Sequence, residues 1–366
     1  MKALSCGIVG LPNVGKSTLF NALLKKKQAG ASNYPFCTID PNVGMIELPD
    51  PRLSVLAKIS QSEKIVPATL VFVDIAGLVK GASEGEGLGN QFLANVRESN
   101  VIIHVVRCFQ DDAVIHVSGR VDPLNDIEVI NVELILADLQ MAENTLQKLQ
   151  RQAKGDKRFS FSVKVLEKVV AHLNTNCPIR SLTLDKEEWH FLNTYYHFIT
   201  AKEVIYVANL SESDMASMNN PYYQMVRHYA EKEKSIVIPF SAKLEEELTQ
   251  LPQEEAFEYL NTLGLEDLGL NRLITVSFDM LGLITFLTTG VQETRAWTIT
   301  NNTTAQEAAG EIHTDIQRGF VRAEVITFDD MVTYQGRARA KAAGKARLEG
   351  KEYIVQDGDV ILFFHH

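Results

Sequence analysis

The stretch Gly10-Leu11-Pro12-Asn13-Val14-Gly15-Lys16-Ser17-Thr18 decides the fold. It reads G-x-x-x-x-G-K-S, fed by the apolar run Gly7-Ile8-Val9 and left by the helical pattern Thr18-Leu19-Phe20-Asn21-Ala22-Leu23-Leu24. Strand, glycine-rich turn and helix in that order are the context a phosphate-binding loop requires. The glycines let successive backbone N–H groups point into one concavity, and the helix adds the positive end of its dipole. Asn13, Val14, Gly15, Lys16, Ser17 and Thr18 are therefore expected to line a nucleotide. Lys16 should reach the β/γ oxygens as a catalytic cation, and the Ser17 hydroxyl should ligate Mg²⁺.

A chain of 366 residues is long enough for two or three domains. Apolar residues at 45% and charged residues at 22% fit a soluble globular protein. There is no signal-peptide pattern and no run long enough to span a membrane, so a cytoplasmic protein with no membrane partner is expected. Cys6, Cys37, Cys108 and Cys177 form no C-x-x-C pair, which excludes a cysteine metal or disulfide framework. The net charge of −10 argues against a general nucleic-acid coat. Two stretches depart from that balance. Residues 148–168 carry seven cations, among them Lys148, Arg151, Lys154, Lys157 and Arg158, against Asp156 and Glu167. Residues 337–351 carry Arg337, Arg339, Lys341, Lys345, Arg347 and Lys351 against Glu349. Two such patches on an acidic body read as docking surfaces for a polyanion.

Downstream of the first helix, Asn33 to Asn42 is loop-like, with Pro35 and Pro41 and no apolar period. Thr38 is the residue there suited to completing a Mg²⁺ shell, in a segment placed as a nucleotide switch. The β-branched and aromatic run Ala68 to Val73 predicts a buried strand ending in Asp74-Ile75-Ala76-Gly77, a D-x-x-G motif. Asp74 is expected to hold Mg²⁺ through water and the Gly77 N–H to meet the γ-phosphate. Val101 to Arg107 predicts another core strand, followed by a polar segment containing His116. The strands Val204–Ala208 and Ile236–Phe240 deliver Asn209-Leu210-Ser211-Glu212 and Ser241-Ala242-Lys243 at their carboxyl ends, where an open α/β sheet binds ligand.

Between these halves the period changes. Val132, Ile135, Leu139, Ala142, Leu146 and Leu149 are spaced 3-4-3-4-3, and Val163, Leu166, Val170 and Leu173 repeat the spacing beyond a basic link. This predicts an antiparallel helical hairpin with its basic patch at the tip. Asp185 and Glu188 predict a capping box opening a helix to about Thr200. From about residue 281, short strands around a helix capped at Thr304 suggest an α+β domain. The expected architecture is α/β: a P-loop NTPase G domain (1–127 and 203–280), the inserted hairpin (128–202) and a C-terminal α+β domain (281–366).

The motif order is that of translation-factor-like GTPases, with departures. Those proteins carry N-K-x-D, whose aspartate accepts two bonds from guanine; here Leu210 and Glu212 replace the lysine and the aspartate. A carboxylate one methylene longer misplaces the guanine clamp, leaving Asn209 and main chain for the base. Leu78 stands where Ras-type enzymes carry a water-orienting glutamine. On Asn13 to Thr18, Tyr34 to Asn42, Asn209 to Glu212 and Leu281 to Phe364, the chain resembles the YchF / Obg-like ATPase family. The resemblance implies a G domain split by a coiled coil, a β-grasp-like TGS domain at the C-terminus, ATP in preference to GTP, slow hydrolysis and ribosome association. It also implies K⁺ activation through Asn13. With Leu78 inert, His116 is the expected water-orienting catalytic residue, ahead of His104, which sits inside an apolar strand. The resulting expectation is a monomeric, Mg²⁺-dependent ATPase switch that meets the ribosome through both basic patches. An Obg-type GTPase and a nucleotide-gated scaffold are the alternatives.

Overall fold

The computed structural model describes residues 4–29, 42–75, 88–111, 120–248, 251–265 and 267–366. It forms two compact units, the first built mainly from 4–26 and 71–272, the second from 45–70 and 273–366. Strands are numbered in chain order: β1 Ser5–Val9, β2 Val43–Glu47, β3 Lys64–Val66, β4 Thr69–Asp74, β5 Val101–Arg107, β6 Val204–Asn209, β7 Ile236–Phe240, β8 Leu283–Thr289, β9 Glu293–Thr300, β10 Phe320–Thr327, β11 Arg347–Glu349 and β12 Asp359–His365.

One sheet has the order β2-β4-β1-β5-β6-β7, and β4, β1, β5, β6 and β7 run parallel. Every residue of β5 and β6 is buried. That is why those strands read as continuous apolar runs: a parallel sheet is covered on both faces. Because the strands are parallel, their carboxyl ends share one edge. The P-loop, Asp74, Arg107, Asn209 and Ser241 all emerge there.

The inserted helices extend the first unit. The long helix Pro123–Ala153 begins ahead of the expected residue 128, because the Asp122 side chain caps it and Pro123 occupies its first turn. Its early residues Ile127, Ile130, Leu134 and Ala137 are buried on one face, and Ile135 and Ala142 join the hairpin core. On the partner helix Ser160–Leu173 the buried stripe is Val165, Leu166, Val169 and Leu173, whereas Val163 and Val170 are half-buried. The expected two-helix seam is shifted because Ile179, Leu192 and Phe198 cover the same core, making it three-sided. The Asp185/Glu188 capping box is present, but its helix is shorter than expected, Lys186–Tyr195. Buried Asp138 ties the insertion's exit in place, accepting from the N–H groups of Ile199 (3.0 Å) and Thr200 (2.7 Å) and from the Thr200 hydroxyl (2.8 Å).

The second sheet has the order β11-β10-β12-β8-β9-β3. β12 runs parallel to β8, while β8–β9 and β10–β12 are antiparallel. Its core gathers Phe286, Ile299, Val325 and Ile361 against Ala305 and Ala308 of the helix Ala305–Ile312, which the Thr304/Glu307 capping box opens. Residues 45–70, which the sequence reading left inside the first span, belong to this unit for two reasons. β3 pairs in parallel with β9, Lys64 opposite Glu293. Arg52, on the helix Pro51–Ser60, grips Asp50 (2.8 Å), Asp357 (2.7 Å) and Thr285 (2.9 Å) at once. Among the described residues, no helix is long and apolar enough to cross a membrane.

Candidate nucleotide site

The P-loop is shaped by three residues in the left-handed half of backbone space: Gly10 (φ 153°), Asn13 (φ 61°) and Gly15 (φ 103°). Gly15 has a second constraint, since a Cβ there would lie 2.3 Å from Asn209 Nδ2. Leu11 and Val14 are buried and anchor the turn, while Asn13 and Ser17 remain exposed. Thr18 is half-buried in the first turn of the helix Lys16–Ala29.

Lys16 is buried, and its ammonium donates to the Leu11 carbonyl at 2.9 Å. Burial lowers its pKa, and the charge of Asp74 works against that shift. Burial likewise raises the pKa of Asp74, with Lys16 opposing. Each charge thus makes the other tolerable at the sheet edge. Asp74 Oδ1 is buried and accepts no hydrogen bond among the described residues. A buried carboxylate oxygen with no donor fits a hydrated divalent cation, and the exposed Ser17 hydroxyl supplies the second oxygen donor type such an ion takes. Ser17 and Asp74 would hold Mg²⁺ there, where it would neutralise charge on the phosphates. Thr38, Gly77, Leu78 and His116 lie outside the described residues.

At the carboxyl ends of β6 and β7, where the sequence reading expects the base, the side chains make the following contacts. Asn209 is 3% exposed, and its amide works as a strut: Nδ2 donates to the Val14 carbonyl (2.9 Å) and Oδ1 accepts from the Ala242 N–H (3.2 Å). It joins the P-loop to the S-A-K turn. Leu210 is 2% exposed, and its N–H donates to Phe240 O at 2.7 Å. Its side chain is buried in the core. The Ser241 hydroxyl is buried and has no partner among the described residues. Ala242 opens the helix Ala242–Leu248, and Lys243 extends into solvent, 4.0 Å from Glu247. Glu212, in the first turn of the helix Glu212–Ser217, accepts from the Tyr259 hydroxyl.

His104 is buried in β5, its ring 5.5 Å from that of Tyr206. Burial, with the charges of Arg180 and Lys16, pushes its pKa down to about 3. It is a neutral core residue across the physiological range.

Two residues here carried no sequence signal. Tyr259 lies far along the chain in no motif. Arg107 closes β5 as a buried cation over the Phe109 ring (4.6 Å), donating to the carbonyls of Phe109 (3.1 Å) and Asp111 (3.2 Å). Asn220 holds the same turn by donating to Cys108 O at 3.0 Å. These bonds fix the root of the segment that leads toward His116.

Comparison with known proteins agrees with this geometry along the whole chain. Residues 5–148 match a family model described as 50S ribosome-binding GTPase, and 283–365 match YchF-GTPase_C, described as a protein of unknown function. The "Ribosome-binding ATPase YchF" of Haemophilus ducreyi is 54% identical over 98% of both chains, and that of Bacillus subtilis 49% over 99% of both. The solved structure of the Schizosaccharomyces pombe YchF GTPase superposes with a TM-score of 0.90 at 38% identity, covering 99% of this chain and 97% of that one. These matches run along the whole length of the chain, and the chain belongs to the YchF family.

Proposed function

We propose that this protein is a Mg²⁺-dependent ATPase switch that binds the ribosome. The observation that carries the reading is the electrostatic coupling at the sheet edge between buried Lys16 and Asp74, whose Oδ1 lacks a donor among the described residues. Lys16 leaves Leu11 O for the β/γ oxygens, and Ser17, Asp74 and Thr38 serve the metal. Asn13, Val14, Gly15 and Thr18 line the phosphates, and the Gly77 N–H meets the γ-phosphate. Leu210, Glu212, Ser241, Ala242 and Lys243 surround the base, with Asn209 holding the two loops together. His116 orients the attacking water, the role that Leu78 cannot fill, and K⁺ at Asn13 stimulates turnover. The protein acts as a cytoplasmic monomer.

The names of the relatives speak of ATPase and of GTPase, so base choice is the point to test. The geometry favours adenine, because the replaced N-x-x-E carboxylate is already engaged by Tyr259. Titration with ATP and GTP, followed by turnover with and without ribosomes and in KCl against NaCl, decides the reading. Tighter GTP binding would return the protein to the Obg-type alternative. Turnover indifferent to ribosomes would leave a nucleotide-gated scaffold.

We assign ribosome contact first to the hairpin, 128–202, and second to the C-terminal domain, 281–366. At the hairpin tip Arg151, Lys154 and Lys157 are exposed, and Arg158 is tied to Asp156 at 2.7 Å. In the C-terminal patch most cations are already paired. Arg337 and Lys341 both bind buried Glu324 (3.0 and 2.8 Å), Lys345 lies 3.7 Å from Asp330, and Arg347 lies 3.7 Å from Asp359. The tip is the better phosphate-binding surface.

A further inference from the structure

Glu212 occupies the position at which guanine-selective proteins of this fold carry their base-reading aspartate. Three side chains define what that corner offers. The Tyr259 hydroxyl, from the helix Gln253–Thr262, donates to Glu212 Oε1. The Asn209 amide is engaged with Val14 and Ala242. The Ser241 hydroxyl is 1% exposed and lacks a partner among the described residues.

We propose that Tyr259 is a specificity-determining positioning residue, which holds the Glu212 carboxylate by Oε1 so that Oε2 is the oxygen best placed for the base. Guanine presents two donors side by side, N1–H and N2–H, and is recognised by a carboxylate that accepts both. With one lone pair of Oε1 taken by the phenol and the carboxylate held in that orientation, the two-pronged clamp is weakened. A single donor, the 6-amino group of adenine, needs only Oε2. Selection against guanine then comes from an N–H left unpaired, the strong form of discrimination. The phenol is protonated at neutral pH, and the hydrogen bond to Glu212 raises its pKa further. Tyr259 is 37% exposed, so deleting its hydroxyl should leave the fold intact.

The proposal rests on the adenine reading, and its test separates the two. ADP and GDP are titrated with Mg²⁺ into the full-length protein and into Tyr259→Phe. Freeing Oε1 restores one charge-assisted bond to guanine, so GDP should bind about 10-fold tighter while ADP changes by less than about threefold. In turnover assays KM for GTP should fall with kcat unchanged. In a Glu212→Ala background, Tyr259→Phe should leave the ADP/GDP ratio where it was. An unaltered protein that prefers GDP overturns the adenine reading and this proposal with it. An adenine-preferring protein whose ratio is unmoved by Tyr259→Phe overturns the proposal alone, as does an equal shift in the Glu212→Ala background.

Discussion

Asn209→Ala separates two roles that a nucleotide-site asparagine can play. In the structure its amide makes one bond to Val14 O at 2.9 Å and one from Ala242 N at 3.2 Å, and both neighbours are buried, Val14 at 1% and Ala242 at 8% exposure. Truncation leaves a carbonyl and an N–H facing a small cavity, each costing about 1–3 kcal/mol when unsatisfied. Partial hydration from the loop side reduces the sum, so the ligand-free protein should lose about 2–4 kcal/mol. The P-loop also loses its tether to the S-A-K turn. ATP and GTP share the phosphates that loop holds, so both should weaken together, by about 10²-fold, with their ratio unchanged. Urea unfolding of the ligand-free chain gives the stability term, and calorimetric titration with both nucleotides gives the ratio. Unchanged stability with an altered ATP/GTP ratio would refute the strut and return Asn209 to direct base contact.

Lys16→Met keeps the buried stem and removes the charge, so ATP affinity should fall about 10²-fold while the melting temperature holds or rises, as the buried ammonium is gone; equal affinity in calorimetry would remove Lys16 from phosphate binding. His104 is neutral in the fold at pH values where it is protonated in the unfolded chain. With a folded pKa of about 3 against the ordinary histidine value of 6.5, its contribution is fully present above the unfolded pKa and is lost as pH falls from there toward the folded one, about 2 kcal/mol by pH 5. His104→Phe should flatten that limb of the stability–pH curve, and an unchanged limb would assign it to other groups. Neutralising Arg151, Lys154 and Lys157 to Gln should weaken ribosome co-sedimentation and lower its salt slope by up to about three, with ATP affinity unaffected; if sedimentation is unchanged, the tip is a solvated surface.

Fold class was legible because the P-loop, D-x-x-G, N-x-x-E and S-A-K turns each follow a short apolar run, and parallel β-strands bring all four to one edge. Local signals also held where they were read: the Asp185/Glu188 and Thr304/Glu307 boxes both close as the spacing predicts. What stayed illegible is long-range. The helix Pro51–Ser60 has a readable start in Asp50-Pro51, yet nothing local says that Arg52 will grip Asp357, or that three residues of β3 will extend a sheet made some 230 positions later. Asn209 could be located but not given its task, since strut and base contact need the same residue at the same strand end. Tyr259 reaches Glu212 from a helix whose sequence carries no chemistry of its own.

Charge shows the same boundary most sharply. The two basic stretches have equal net charge along the chain, and by sequence they are equivalent docking surfaces. In space they are not. Glu324, 2% exposed beneath the C-terminal patch, binds Arg337 and Lys341 together, and these contacts hold its carboxyl below the usual range. Asp330 and Asp359 stand beside two further cations. A cation that already satisfies a buried carboxylate releases little on meeting a phosphate, because leaving would strand the carboxylate. Neutralising Lys341 or Arg337 would therefore weaken the C-terminal domain before it weakened docking, and a loss of ribosome binding in such variants would report unfolding. At the hairpin tip the acidic content is Asp156, paired with Arg158 alone, so Arg151, Lys154 and Lys157 keep their charge for a partner. Arg339 and Lys351 are the C-terminal residues that can be tested cleanly: Arg339 is exposed, and the Lys351 ammonium lies 4.0 Å from the exposed Glu352 carboxylate. If Arg339→Gln with Lys351→Gln lowers the salt slope by up to about two, without a change in melting temperature, both surfaces touch RNA. If it does not, the hairpin carries the electrostatic contact and the C-terminal cations are structural.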